Sequence, residues 1–147
     1  MKIIVATDGS EFGTNALNFA SRLVCEPHTE IEIVTVIEPV AGTEFETIIE
    51  SVDELTSPDN PDARAYHDIL ESDRRRLGKK CEGKDITVST KVLAGPAARA
   101  IVEEAEAWKA DLIVVGSHGR GFWTRAWIGS VSDRIARHAP CAVLTVR

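Results

Sequence analysis

A short apolar run followed by spaced glycines constrains the fold of this chain more than any other feature of its sequence. Residues 112–115, with the sequence LIVV, are typical of a buried strand. Three glycines and a serine follow it in a fixed spacing: Gly116, Gly119, Gly129 and Ser130. Residues 131–138 then predict a helix, which Pro140 ends. We therefore predict a strand, a glycine-rich loop and a helix N-terminus, in that order.

A loop of this kind can close around an anion. Glycine adopts positive φ and has no Cβ that would hold a ligand away, so we expect backbone N–H groups to face inward. The helix that follows adds unpaired N–H donors and the positive end of its dipole. The sequence therefore favours a phosphate site, and the alternative is that the glycines are simple turn residues after a buried strand.

The charge distribution supports an anion site at this end of the chain. The net charge of the whole chain is −6. Residues 116–147 contain five arginines and one acid, so their charge is 5 − 1 = +4, and residues 1–115 carry −10. Concentrated arginine in an acidic protein favours anions locally, although some of these arginines can be solvated helix residues. The acidic total argues against general nucleic-acid binding.

Length and composition predict a single domain over residues 1–147. No run of 18 apolar residues is present, so we expect no membrane span. The first strand begins without a hydrophobic leader, which argues against a signal peptide. Cys25, Cys81 and Cys141 are odd in number and far apart, which favours buried thiols over a disulfide or a zinc site. Free thiols fit the reducing cytoplasm, where we place the protein.

Strands alternate with helices along the chain. The predicted strands are residues 3–6, 31–37, 86–92, 112–115 and 141–146. This alternation predicts an α/β fold with a parallel sheet and helices on both faces. Residues 38–63 are the least regular segment and contain eight acids but no Lys or Arg. Their apolar stripe fits either a short helix that covers the sheet or a partner-docking element.

The glycine spacing, written Gly-x2-Gly-x9-Gly-Ser, resembles the ATP-binding branch of the universal stress protein family. The opening residues 2–10 (KIIVATDGS) and the closing residues 140–146 (PCAVLTV) resemble that family as well. The resemblance implies an open five-stranded sheet in the order 3-2-1-4-5. Strands 1 and 4 are then neighbours where the winding reverses, and ligands of open α/β sheets bind at such a point. Asp8 and Gly116 follow these two strands and are expected to converge there.

The resemblance also implies a ligand and its contacts. The ligand is ATP, or AMP or ADP, with Mg²⁺. The residues expected around the adenosine part are Ala6, Asp8, Val36 and Val115. Those expected around ribose and phosphates are Gly116, Gly119, Gly129, Ser130 and Val131. In chemical terms Asp8 can accept hydrogen bonds from the nucleoside or help to hold Mg²⁺, or it can be a helix-start acid. Ser130 can donate to phosphate, cap the helix, or do both.

No catalytic residue is assigned. A Walker A loop is absent, and no nucleophile, metal set, catalytic lysine or acid–base pair accompanies the glycine loop. His118 lies within that loop and is expected to be solvated, phosphate-facing or structural. Trp123 and Trp127 depart from the family, in which this linker more often carries aliphatic residues. The implied function is a nucleotide-dependent stress-response module, with a slow ATPase or autophosphorylating enzyme, or a nucleotide-free scaffold, as alternatives.

The last predicted strand, residues 141–146, is expected to form a homodimer. In the implied order it is an edge strand, yet it is almost wholly apolar and contains no Lys or Pro. An uncovered apolar edge pairs readily with another chain, and a two-fold axis would pair it with itself. The resemblance implies the same contact. The alternative is that the acidic segment 38–63 or a helix covers this edge.

Overall fold

The computed structural model describes residues 1–23, 27–38, 52–118 and 129–147. The strands in these ranges are β1 (Lys2–Ala6), β2 (Thr29–Ile37), β3 (Ile86–Ala94), β4 (Leu112–Gly116) and β5 (Ala142–Val146). The helices are α1 (Glu11–Leu23), α2 (Val52–Thr56), α3 (Pro61–Lys80), α4 (Ala97–Trp108) and α5 (Ser130–His138). None of the described helices is both long enough and apolar enough to cross a membrane.

The five strands form one sheet in the order β3-β2-β1-β4-β5, and every pair is parallel. Both the α/β class and the strand order are therefore confirmed. The central strand β1 pairs with β2 on one side, where Ile3 lies opposite Ile31. It pairs with β4 on the other side, where Ile3 lies opposite Leu112. The winding reverses between β1 and β4, so a crevice is expected outside their carboxyl ends.

Helices cover both faces of the sheet because side chains alternate along each strand. One apolar layer joins Ile3, Val5 and Ile33 of the sheet to α1 and α3. The other joins Ile4 and Val34 to α4 and α5. The central strands are buried on both faces, as expected of a parallel sheet covered by helices.

Each of the five strands begins and ends within two residues of its predicted bounds. α3 begins at Pro61 because Asn60 caps it. The Asn60 side chain accepts the Asp62 N–H at 2.9 Å. Cys81 is a buried free thiol, as predicted. Cys141 is also a free thiol but is partly exposed, so its predicted burial is wrong, and Cys25 lies outside the described residues.

Glu32 is a buried acid in the middle of β2 that the apolar pattern did not predict. Its side chain faces the α4 layer, only 7% of the residue is exposed, and Oε2 has no hydrogen-bond partner in the described part of the chain. Burial raises the pKa of Glu32 to about 7, and the nearby charge of Glu104 acts in the same direction. Lys91 and Lys2 partly offset this rise in pKa. The Lys91 ammonium is itself 2.6 Å from Glu104 Oε2, so it is shared between the two acids.

This carboxyl predicts a pH-dependent stability. The pKa of Glu32 is raised from 4.5 to about 7, so between these values the folded protein holds a proton that the unfolded chain releases. The free energy of unfolding therefore falls as pH rises through that range, by at most about 3 kcal/mol for this group. Glu32→Gln should remove this fall, which urea unfolding at pH 4.5 and pH 8 measures.

Glu30→Gln is the matched control, because Glu30 belongs to the same strand but is exposed. It should leave the pH dependence of wild type in place. A Glu32→Gln protein that loses stability between pH 4.5 and pH 8 as steeply as wild type would contradict the prediction.

Candidate functional site

A cleft of about 450 Å³ opens at the carboxyl ends of β1 and β4, where the winding reverses. It brings together all the predicted site residues that the structure describes, namely Ala6, Asp8, Val36, Val115, Gly116, Gly129, Ser130 and Val131. Gly119, the remaining one, lies outside the described residues. The cleft is also lined by residues that were not predicted, among them Thr7, Gly13, Glu38, Tyr66 and Ile101. Residues distant in sequence thus share one concave surface, and the part each plays in binding stays a prediction.

The turn between β1 and α1 forms one wall of the cleft. Asp8 is half-buried there, and its Oδ1 accepts the Ser10 N–H at 3.0 Å. The Ser10 hydroxyl oxygen in turn accepts the Gly13 N–H at 3.3 Å, which caps the first turn of α1. Asp8 therefore supports the helix start, the role predicted as its alternative. Its position in the cleft wall is compatible with a ligand contact as well.

The two described glycines of the motif matter because they lack a Cβ, and neither adopts a backbone conformation that only glycine allows. A Cβ on Gly116 would lie 2.8 Å from the backbone carbonyl carbon of Phe12, so its absence lets α1 pack closely against β4. A Cβ on Gly129 would lie 3.0 Å from the carbonyl oxygen of Ser117. Gly129 has a φ of −60° and Gly116 lies in a strand, so the expectation of positive φ is wrong for both.

The N-terminus of α5 opens onto the cleft without a capping side chain from the described residues. Gly129 occupies the N-cap position and Ser130 is the first helical residue, so the prediction that Ser130 caps the helix is wrong. The Gly129 N–H donates to the Ser117 carbonyl oxygen at 2.7 Å, and the Ser132 hydroxyl donates to the Gly129 carbonyl oxygen at 2.9 Å. These bonds hold Gly129 against the end of β4 and leave first-turn N–H groups of α5 available to an anion.

The N-terminus of α4 also reaches the cleft, and there an acid already occupies it. Glu38 Oε1 accepts the Ala97 N–H at 2.9 Å, which neutralises the positive end of that helix. Sequence reasoning missed this contact because Glu38 and Ala97 are far apart in the chain. The two ends of the cleft therefore differ, because an anion is favoured at the N-terminus of α5 and disfavoured at the N-terminus of α4.

In the described part of the cleft, charged side chains do not supply the preference for an anion near α5. Its described lining includes two acids, Asp8 and Glu38, and no Lys or Arg. Arg137 is paired with Asp133 on α5 at 3.0 Å and does not line the cleft, so it is one of the solvated helix arginines that the sequence analysis allowed for. Arg120 and Arg125 lie outside the described residues. Within the described ranges, no cluster of three or more His, Cys, Asp or Glu residues is placed to hold a metal ion.

His118 lies in the part of the cleft that the N-terminus of α5 lines, and one side of its ring is held by neighbouring residues. Its ring is 5.1 Å from that of Phe12, and its Nδ1 is 3.0 Å from the Ser117 hydroxyl oxygen. Its other nitrogen, Nε2, is buried and has no hydrogen-bond partner among the residues described. The structural role predicted for His118 is therefore present. Trp123 and Trp127 lie outside the described residues.

Comparison with known proteins identifies the class to which this fold and cleft belong. The sequence profile of the Universal stress protein family matches residues 1–147. A universal stress protein of Methanocaldococcus jannaschii is 32% identical over 148 residues, covering 99% of this chain and 81% of the relative. The chain belongs to the universal stress protein family.

Solved structures support the same fold. The UspA protein of Lactobacillus plantarum superposes with a TM-score of 0.79 at 21% identity, covering 100% of this chain and 97% of that one. A universal stress protein in complex with cAMP superposes with a TM-score of 0.70 at 25% identity, covering 100% and 97% of the two chains. At least one similar protein thus binds an adenine nucleotide.

Gly116 provides a test of the packing that forms the cleft. Gly116→Ala should destabilise the protein by about 1–3 kcal/mol, because the new methyl group would overlap the backbone of α1. Gly78→Ala is the control: nothing lies within 4 Å of its ideal Cβ, and a helix interior favours alanine by up to about 1 kcal/mol. Urea unfolding measures both. Equal effects of the two substitutions would contradict the close approach of α1.

Proposed function

We propose that the cleft binds ATP, or AMP or ADP, with Mg²⁺, and that this single-domain cytoplasmic protein is a nucleotide-dependent regulatory module of the stress response. The observation that carries the proposal is the difference between the two ends of the cleft. Its volume of about 450 Å³ is within the usual range for small-molecule sites. It extends from an apolar region beside the acid-capped N-terminus of α4 to the N-terminus of α5, which no described side chain caps.

The cleft offers a surface for each part of the nucleotide. Val34, Val36 and Ile101 are apolar and suit a base. Asp8 can accept hydrogen bonds from ribose hydroxyl groups. At the other end, the first turn of α5 and the Ser130 hydroxyl suit phosphates. The cAMP complex of a similar protein is consistent with an adenine nucleotide here.

The charges of the cleft support the part of the proposal that concerns Mg²⁺. Asp8 and Glu38 line the cleft and repel a polyphosphate, so a divalent cation bound to the phosphates favours entry. Mg²⁺ needs only one or two carboxylates when phosphate oxygens and water complete its shell. Asp8 is the carboxylate best placed to contribute.

A charge at Ser130 tests the proposal, because it separates binding from folding. Ser130→Asp places a negative charge at the first helical position, which the helix dipole favours by about 0.3–1 kcal/mol. The same charge repels phosphate. We expect ATP affinity to fall at least tenfold while the melting temperature stays the same or rises, measured by calorimetry with Mg²⁺ and by thermal unfolding.

Ser130→Asn is the matched control, since it has the size of aspartate without the charge. It should bind ATP within a few-fold of wild type. A wild-type protein that gives no heat and no thermal shift at millimolar ATP, AMP or cAMP would overturn the proposed function. Release of phosphate that scales with protein concentration, and that Ser130→Asp abolishes, would instead favour the slow ATPase.

We further propose that β5 forms a homodimer. β5 is an edge strand, and among the described residues it pairs only with β4. The Val146 carbonyl accepts the Ser117 N–H at 2.7 Å and so faces β4. Because neighbouring residues of a strand direct their polar groups to opposite sides, the N–H and carbonyl of Val143 and Thr145 face outward. They can pair with the same strand of a second copy.

Thr145→Pro tests this dimer without touching the bonds to β4. Proline removes the outward N–H of residue 145 and blunts the edge. We expect a folded monomer by light scattering at tens of micromolar, whereas Thr145→Val, which keeps the N–H, should remain dimeric. A monomeric wild type, or a dimer that survives Thr145→Pro, would contradict the proposal.

A further inference from the structure

We propose that Asp73, on α3, is a positioning residue for the nucleotide cleft, because its carboxylate holds the Thr7 hydroxyl and thereby the turn that includes Asp8. This inference rests on the proposed function. It concerns a residue that neither lines the cleft nor follows from the glycine motif.

A buried hydrogen bond joins the two elements. The Thr7 hydroxyl donates to Asp73 Oδ2 at 3.0 Å, and the two residues are only 6% and 5% exposed. An acid this deeply buried in the middle of a helix requires a partner, and Thr7 supplies a donor to it. The bond therefore fixes the rotamer of Thr7, a residue of the cleft wall.

The Thr7 hydroxyl oxygen also accepts a hydrogen bond within the turn that follows β1. It accepts the Gly9 N–H at 3.2 Å, and the backbone N–H of Thr7 donates to the Val34 carbonyl oxygen at 2.9 Å. With its proton directed to Asp73, the hydroxyl presents its lone pairs to Gly9. Thr7 thereby holds the residues on both sides of Asp8, which leaves the Asp8 backbone little freedom.

Packing from α1 adds to this constraint. A Cβ on Gly13 would lie 2.7 Å from the Thr7 hydroxyl oxygen and 3.3 Å from Asp8 Oδ1, so α1 lies directly against both side chains. Arg76, one turn after Asp73, donates to the Thr14 hydroxyl oxygen at 3.0 Å. It also approaches Asp73 Oδ1 at 3.9 Å. Two neighbouring residues of α3 thus hold the start of α1 and the turn before it.

Burial raises the pKa of Asp73, although the Thr7 hydrogen bond and Arg76 act in the opposite direction. The two interactions therefore do not fully offset the desolvation of the charge. An apolar residue would avoid this penalty, which is the usual result when buried ionic groups are replaced. A functional role in fixing the turn gives a physical reason for an acid at this position.

A set of variants tests the role through ATP affinity. Asp73→Leu and Thr7→Val each remove the hydrogen bond and should weaken Mg-ATP binding at least fivefold by calorimetry. Asp73→Asn keeps an acceptor for the Thr7 hydroxyl, so it should bind within twofold of wild type. The double variant Thr7→Val/Asp73→Leu should lose no more than either single variant, because one shared bond is removed. Asp68→Asn, an exposed acid of the same helix, should change nothing.

The Asp8→Ala background locates the effect. There Asp73→Leu should cost no further affinity, since Asp73 acts through the turn that includes Asp8. A folded Asp73→Leu protein that binds like wild type, or losses from Asp8→Ala and Asp73→Leu that multiply in full, would overturn the inference and leave the proposed function intact. A wild type that binds no nucleotide would overturn both. If Asp73→Leu does not fold, Thr7→Val, with a side chain of the same shape, decides.

Discussion

The close approach of α1 to the end of β4 is the constraint on which the cleft depends. Gly116 has no side chain, and the backbone of Phe12 occupies the space that a Cβ would take. This contact holds the turn after β1 beside the loop after β4, so that Asp8 and Gly129 line the same cleft. The ring of Phe12 also packs against His118, which links α1 to the part of the cleft beside α5.

The two ends of the cleft differ in their preference for an anion because the N-termini of two helices differ. Both α4 and α5 present their N-termini to the cleft, yet Glu38 satisfies the first N–H of α4 and no described side chain caps α5. With acids as the only charged residues of the described lining, the helix dipole is the main attraction for an anion among those residues. With Gly129 at the N-cap position and Ser130 first in the helix, the backbone at the start of α5 faces the cleft without a capping side chain from the described residues.

Much of the fold followed from the sequence, because its signals are local. Apolar runs and the glycine spacing each depend on neighbouring residues, and the strand order came from the family resemblance. The contacts that the sequence did not reveal join residues far apart in the chain. Thr7 with Asp73 and Glu38 with Ala97 exist only once the sheet has assembled. Glu32 escaped prediction for a similar reason, since an acid within a strand pattern suggests an exposed position until both neighbouring strands and α4 are in place.

The two buried acids, Glu32 and Asp73, differ in what their burial achieves. Burial raises the pKa of each, so each charged carboxylate lowers the stability of the fold. Glu32 has an oxygen without a described hydrogen-bond partner and does not line the cleft, so removing its charge should affect stability alone. Asp73 accepts the hydrogen bond that orients Thr7, and its removal should affect ligand affinity beyond stability. A ligand that binds only the folded protein stabilises it by mass action, so a destabilising acid at the cleft can be tolerated if it improves binding. Under the role proposed for Asp73, such compensation is available there, whereas Glu32 does not line the cleft and has no comparable compensation.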